Sequence, residues 1–292
     1  MTRFDRGQPI TDDRPIWWLA SYPKSGNTWV RAFLSSYLHG AEDLNNLHGV
    51  TGDNQPYFHQ ALAHRPLKEL GTWDLVVVHN LALLHMLSVL RMQEPYLLKT
   101  HNANLSFGGT SLIPWPITKG AIYVARDPRD VAVSYSDHFG SSLDDAITSM
   151  GKKQNRITQD NGLFHILSSW SEHIKSWMEQ KTFRTGLLRY EDLLANPAEK
   201  FAGILKYLGI EEIDSSRFER ALEFSSFDSL RKLEEQHGFQ EISEKSGGRF
   251  FRQGKSGGWR NVLTEEQVTR IETDHGEMMR ELGYELACKA AA

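Results

Sequence analysis

Three short stretches of the 292-residue chain carry the residue types that hold anions. The first is Ser21-Tyr22-Pro23-Lys24-Ser25-Gly26-Asn27-Thr28-Trp29, set between an apolar run and an amphipathic one. A strand, a tight loop and a helix start in that order form a phosphate cradle, because turn N–H groups and the unpaired first helical turn point at one place. Lys24 adds a full charge, and Ser25 and Thr28 add hydroxyl donors. The helix dipole is worth only about 0.3–1 kcal/mol per charge, so Lys24 and the converging hydrogen bonds dominate. An ordinary surface turn is the plain alternative, and the stretch departs from G-x-x-x-x-G-K-[ST] because Lys24 precedes the single Gly26.

The second stretch, Tyr123 to Tyr135, again passes from strand to helix, with Pro128 suited to the first helical turn. Arg126 leaves the strand end, and Ser134 lies about two turns inside the helix. The alternative is that Arg126 pairs with Asp127 or Asp130, an arrangement worth little at a surface. The third stretch, Phe251 to Asn261, contains Arg252, Gln253 and Gly254 in a glycine-rich cationic segment. Glycines let backbone approach a ligand closely and Arg252 can fork onto a phosphate, although a solvated basic loop has the same composition.

Short apolar runs alternating with longer amphipathic ones predict an α/β fold, a central parallel sheet flanked by helices with a P-loop-like turn. The domain expectation is a polar arm over 1–15 and a single domain over 16–292. Strands are expected at Ile16–Ser21, Leu75–His79, Tyr96–Thr100, Ala121–Ala125 and Arg184–Arg189, all buried on both faces. Helices are expected over Thr28–His39, Leu81–Met92, Pro128–Phe139, Leu163–Glu179 and Pro197–Leu208, the last opened by Asn196 and closed by Gly209. Thr264 with Gln267 forms a capping box for a final helix to Gly283. The stretch Ala41–Thr72 has no clean period, and His237–Val262 reads as a long loop, a length usually tied to function or disorder.

Composition narrows the partners. A net charge of −4 argues against broad nucleic-acid binding. The lone Cys288 rules out an intramolecular disulfide and a cysteine-based zinc cluster. With no signal-peptide pattern in the first 15 residues, a cytoplasmic location is expected. The apolar stretch Leu81–Leu90 contains His85 and is shorter than the roughly 20 residues of a spanning helix, so no membrane partner is expected. There is no H-E-x-x-H, and the pairs His59/His64 and His79/His85 have ordinary structural explanations, so no metal is expected either.

Taken together, in this order and spacing, the three stretches resemble the sulfotransferase family that uses 3′-phosphoadenosine 5′-phosphosulfate (PAPS) and releases 3′-phosphoadenosine 5′-phosphate (PAP). Tyr22 to Trp29 is similar to the family's 5′-phosphosulfate stretch, with Asn27 where many members carry threonine. Arg126 to Ser134 is similar to its 3′-phosphate stretch, and Arg252 to Thr264 to its glycine-rich loop. There Gln253 and Gly258 replace a lysine and an aspartate, removing one cation. Tyr190-Glu191-Asp192 and Ser225-Ser226-Phe227 resemble the adenine-facing stretches, which implies Phe227 stacked on the base. The family's dimer motif is not reproduced between Arg260 and Thr269, so the resemblance implies no oligomeric state.

The resemblance implies sulfuryl transfer to a hydroxyl of a small-molecule acceptor by direct in-line attack. His101 follows the expected strand Tyr96–Thr100 and matches the histidine of a family K-T-H stretch, which assigns it as general base, a role worth about 10²–10⁴-fold. Lys24 is placed to stabilise charge on the leaving phosphate. Lys99 shares the face of His101 by period-2 geometry and is a candidate to assist at the transferring group. Ser134, by resemblance, links the 3′-phosphate to Lys24 through a hydrogen bond. Phe107 and Phe139, just beyond His101 and Ser134, are the candidate acceptor contacts. A P-loop-type nucleotide or small-molecule kinase and a non-catalytic nucleotide-binding protein are the competing readings; the missing G-K-[ST] weighs against the first, and Lys24 with His101 against the second.

Overall fold

The computed structural model describes residues 2–4, 13–63, 65–89, 95–243, 246, 248–252 and 254–287. The readings at His64, Gln253, Cys288, most of the N-terminal arm and the end of the helix expected to reach Met92 lie outside the described residues.

Five parallel strands form the central sheet in the spatial order Val50–Gly52, Tyr96–Thr100, Ile16–Ser21, Thr118–Ala125 and Arg184–Arg189. Side chains on one strand alternate between two faces, and both faces are covered. Trp18 and Ala20 pack with Leu98, Ala121 and Tyr123 on one side. Trp17 and Leu19 pack with Leu97, Ile122 and Val124 on the other, under the helix Asn27–His39, which contributes Val30, Phe33, Leu34 and Tyr37. Strands added after Ile16–Ser21 go first to one side of it and then to the other, so the order reverses there. In open parallel sheets the crevice beyond the carboxyl ends at such a reversal is where ligands bind.

Leu75–His79 is not a strand. Thr72–Val89 is one helix that buries Leu75, Val76, Val78, His79, Ala82, Leu83 and Met86. Its run of three valines mimics a strand, and apolar residues on nearly every face erase the helical period. By length and composition this helix is apolar enough to cross a bilayer, but Val76, Ala82 and Leu83 have no exposed surface and belong to the packed interior. The remaining strand of the sheet is instead Val50–Gly52, three residues inside the aperiodic 41–72 stretch. The expected helix Leu163–Glu179 divides into a strand, Phe164–Ile166, paired antiparallel with Arg156–Thr158, and the helix Trp170–Met178. Helices Leu143–Gly151, Tyr190–Ala195, Ser215–Phe224 and Phe227–His237 were not anticipated. Asn196 stands before Pro197–Tyr207 without a side-chain capping bond, whereas the Thr264 and Gln267 capping box is formed in full.

At the N-terminus, Arg3 exchanges two backbone hydrogen bonds of 2.8 Å with Leu187, and the Thr2 hydroxyl donates to Asp192 at 2.7 Å.

Candidate active site

Four strands deliver their next residues to one crevice. Ser21 leads into the Tyr22–Thr28 turn, Thr100 into His101, Ala125 into Arg126, and Arg189 into Tyr190. The crevice is a cavity of ≈ 700 Å³. From the first stretch, Lys24, Gly26, Asn27, Thr28 and Trp29 line it; from the second, Arg126, Ser134 and Phe139 do. Lys99, His101, Tyr190, Ser225 and Phe227 line it as well, together with Arg252 and Gly254 of the third stretch.

Lys24 has φ 69° and Gly26 φ 100°, so the first turn curls through the left-handed region twice in three residues. A non-glycine residue there is uncommon and is held in place by its surroundings. The Asn27 amide provides part of that hold by donating to the Leu19 carbonyl at 3.1 Å and to Ser21 Oγ at 3.2 Å. Asn27 therefore ties the turn back to its strand. Ser25 is buried, and its hydroxyl has no partner among the described residues. Lys24 Nζ lies 3.8 Å over the Phe250 ring. Burial brings its ammonium down to about 7; Glu241 opposes that shift, and Arg126 and Arg252 add to it. No hydrogen bond joins Lys24 to Ser134 among the described residues.

A methyl group at Gly26 would sit 2.6 Å from the Tyr190 ring, and its φ is one that side chains rarely adopt. Gly26→Ala is expected to lower unfolding free energy by about 1–3 kcal/mol, the usual cost of such backbone strain. An unchanged urea midpoint would show that the turn accepts a Cβ.

Arg126 pairs with neither Asp127 nor Asp130. It donates to the carbonyls of Lys24 and Lys255, at 3.1 Å each, and lies 4.3 Å over the Tyr190 ring. Its Nε is buried without a partner among the described residues. The carboxylates are engaged elsewhere. Asp127 caps the helix Pro128–Phe139 and pairs at 2.7 Å with the buried Arg129, which reaches Glu272 of the last helix at 2.7 Å. Asp130 accepts from the backbone N–H groups of Gly257 at 2.7 Å and Trp259 at 3.0 Å, fixing the glycine-rich loop to the second stretch.

In that loop Arg252 pairs with Asp137 at 2.7 Å. Gly254 lies against the Phe227 ring, where a Cβ would come within 2.4 Å. Ser225 lines the cavity, yet its hydroxyl donates to the Ala221 carbonyl at 2.7 Å.

His101 Nδ1 is 2.9 Å from the Ser21 carbonyl. A carbonyl can only accept, so Nδ1 carries the proton and Nε2 keeps its lone pair. Burial, then the nearby Lys99 and His165, hold the imidazole well below its usual range and therefore neutral at pH 7. Its backbone is fixed too: His173 Nε2 donates to the His101 carbonyl at 3.0 Å and is oriented by the Tyr123 hydroxyl at 2.7 Å. Lys99 Nζ is bound at 3.0 Å by Glu241, which also takes Arg31.

Phe139 half-buries its ring on the cavity wall, with Ile157, His165 and Phe250 nearby in the lining. Phe107 is not there. Its ring packs with Val76, Leu112 and Ile166 in a separate cluster, because the short hairpin that carries it turns away from the crevice. Glu241, Arg31 and His165 were not singled out in the sequence, and Asp130 was named only as a possible partner of Arg126. The first three reach the site through tertiary contact and have no local motif; Asp130 sits inside the second stretch, but its loop partners are more than 120 residues away.

The sequence model for the sulfotransferase domain family matches residues 14–283. The chain is 29% identical over 275 residues to the rat protein "Sulfotransferase 1 family member D1", covering 90% of this chain and 83% of that one. It is 24% identical over 285 residues to Arabidopsis cytosolic sulfotransferase 16, covering 91% and 76%. Among solved structures, retinol dehydratase in a complex with retinol and PAP superposes with a TM-score of 0.60 at 22% identity, covering 94% of this chain and 84% of that one. Mouse sulfotransferase SULT7A1 complexed with PAP does so at 0.59 and 20%, covering 92% and 86%.

Proposed function

This chain belongs to the sulfotransferase family and takes its sulfuryl group from PAPS, and we propose that it passes the group directly to a hydroxyl of a small-molecule acceptor with His101 as general base. The observation that carries this reading is His101 itself, a neutral imidazole with Nδ1 tied to Ser21 and Nε2 unprotonated beside the phosphate cradle. Transfer moves the acceptor proton to Nε2 as the oxygen bonds sulfur and the bond between sulfur and the bridging 5′-phosphate oxygen breaks, leaving the charge on PAP. Lys24 is the group proposed to meet that charge, with Lys99 assisting at the sulfuryl group.

The residues present fit the donor. Ser25 Oγ and Arg126 Nε are buried polar atoms without partners among the described residues, a costly condition that an anionic ligand relieves. We assign Lys24, Ser25 and Thr28 to the 5′-phosphosulfate, Arg126, Ser134 and Arg252 to the 3′-phosphate, and Trp29, Tyr190 and Phe227 to the adenine. The acceptor wall at Phe139, Ile157 and Phe250 suits an apolar molecule, and retinol dehydratase is known bound to retinol and to androsterone.

Calorimetric titration of PAP, AMP and ATP into the wild-type chain and Arg126→Ala tests the donor site. Wild type is expected to prefer PAP. Arg126→Ala is expected to weaken PAP about 10–100-fold, the worth of a charge-assisted bond at roughly 1.5–3 kcal/mol, and to leave AMP unaffected. ATP binding as tightly as PAP would move a kinase reading ahead. Labelled PAPS offered with alcohols, phenols and amines then tests the acceptor: label on amines alone would overturn transfer to oxygen.

A further inference from the structure

Glu241 stands in the donor cradle although it comes from a segment more than 200 residues beyond it. Its carboxylate takes Lys99 at 3.0 Å and Arg31, and Thr28 Oγ1 lies 3.5 Å away at the limit of a hydrogen bond. Burial pushes this carboxyl up, but Lys99 and then Arg31 outweigh it and hold it down at about 2, so it is an anion at every working pH. The backbone around it is anchored: Gln240 N–H donates to Asn45 at 2.8 Å, and Ile242 N–H to the Phe239 carbonyl at 3.0 Å. Thr28 and Lys99 are two of the groups assigned above to the phosphosulfate end of the donor, and Arg31 lies one helical turn beyond Asn27. One carboxylate thus engages the hydroxyl and the cation that the donor's anionic end needs.

We propose that Glu241 is a tethered competitor for the 5′ end of the donor, a carboxylate that the phosphosulfate must displace from Lys99, Arg31 and Thr28 in order to bind. The inference rests on the donor assignment above. It makes Glu241 a determinant of donor affinity, acting only on nucleotides that carry a 5′ anion. Charge-assisted hydrogen bonds are about twice as strong as neutral ones, and Glu241 is partly open to solvent, so the competition is worth roughly tenfold in affinity.

The test titrates PAPS, without acceptor, and adenosine 3′-monophosphate, which lacks the 5′ anion, at pH 6, where Lys24 is protonated. Glu241→Gln is expected to tighten PAPS about tenfold and to leave adenosine 3′-monophosphate unchanged. Glu241→Asp keeps the charge but loses the reach, and is expected to tighten PAPS as well, which guards against a misfolded Gln variant; thermal unfolding of both checks the fold. Unchanged or weaker PAPS binding in folded variants, or equal tightening of both nucleotides, would overturn the proposal. Wild-type chain that bound PAPS no better than ATP would instead remove the donor assignment, and this competition with it.

Discussion

His101→Ala is expected to lose about 10²–10⁴-fold in kcat with PAP affinity unchanged, because the proposed role of the side chain is to accept a proton rather than to contact the donor. The geometry makes the expectation sharper than a bare loss of rate. With Nδ1–H committed to Ser21, only Nε2 can accept a proton, so His101→Gln, which presents an amide in place of that lone pair, is expected to be as damaged as the alanine variant. Because burial keeps the imidazole of the free chain neutral, protonation of His101 is not expected to depress wild-type kcat/KM as pH falls through 6.5, where an ordinary histidine would already be half protonated. A fall of PAP affinity in step with kcat would show instead that His101 shapes the cradle.

The parts of this fold that were legible in the sequence are the ones whose physics is local. Ile16–Ser21, Tyr96–Thr100 and Arg184–Arg189 are strands over the expected residues; Ile16–Ser21 is buried along its whole length, as an apolar run covered on both faces reads, whereas Arg184–Arg189 buries only Gly186, Leu187 and Leu188. The same rule misread Leu75–His79. Three valines favour a strand locally, but the surrounding apolar residues over Thr72–Val89 let the whole segment pack as a helix, and packing outweighs β-branched preference. Val50–Gly52 is too short to show a period and is a strand only because Tyr96–Thr100 offers it a partner.

The site divides along the same line. Arg126 and His101 directly follow strand ends and Lys24 lies three residues beyond one, and the sheet brings those strand ends, and all three residues, to one crevice. What the sequence could not show is how charges are shared once the chain closes. The carboxylates beside Arg126 read as its partners, whereas Asp127 holds Arg129 and Asp130 holds the backbone of the glycine-rich loop. That division leaves the Arg126 guanidinium in the crevice, over Tyr190, rather than in an ion pair. Glu241 had no motif to announce it, and its significance comes wholly from Lys99 and Arg31.

Lys24→Met is expected to lower kcat about 10²–10³-fold, the usual cost of removing one preorganised group that stabilises charge in the transition state. Its titration gives an independent check. Burial places the Lys24 ammonium at about 7 in the free chain, and a polyanionic donor beside it must raise that value, so donor binding takes up a proton. The sign follows. Above about pH 7, where both phosphates of PAP are already ionised, affinity falls as Lys24 loses its proton, by up to about tenfold per unit until the bound-state value is passed. Calorimetry at pH 8 in buffers of different ionisation enthalpy is expected to show this uptake in wild type and none in Lys24→Met. Lys24→Arg, which keeps its charge throughout, is expected to bind with a flat profile from about pH 7, where the phosphates of PAP are ionised, to about 9. A wild-type affinity that does not change across pH 7 would mean that the ammonium is not desolvated where it sits over Phe250, and that its charge is held by Glu241 more strongly than burial opposes it.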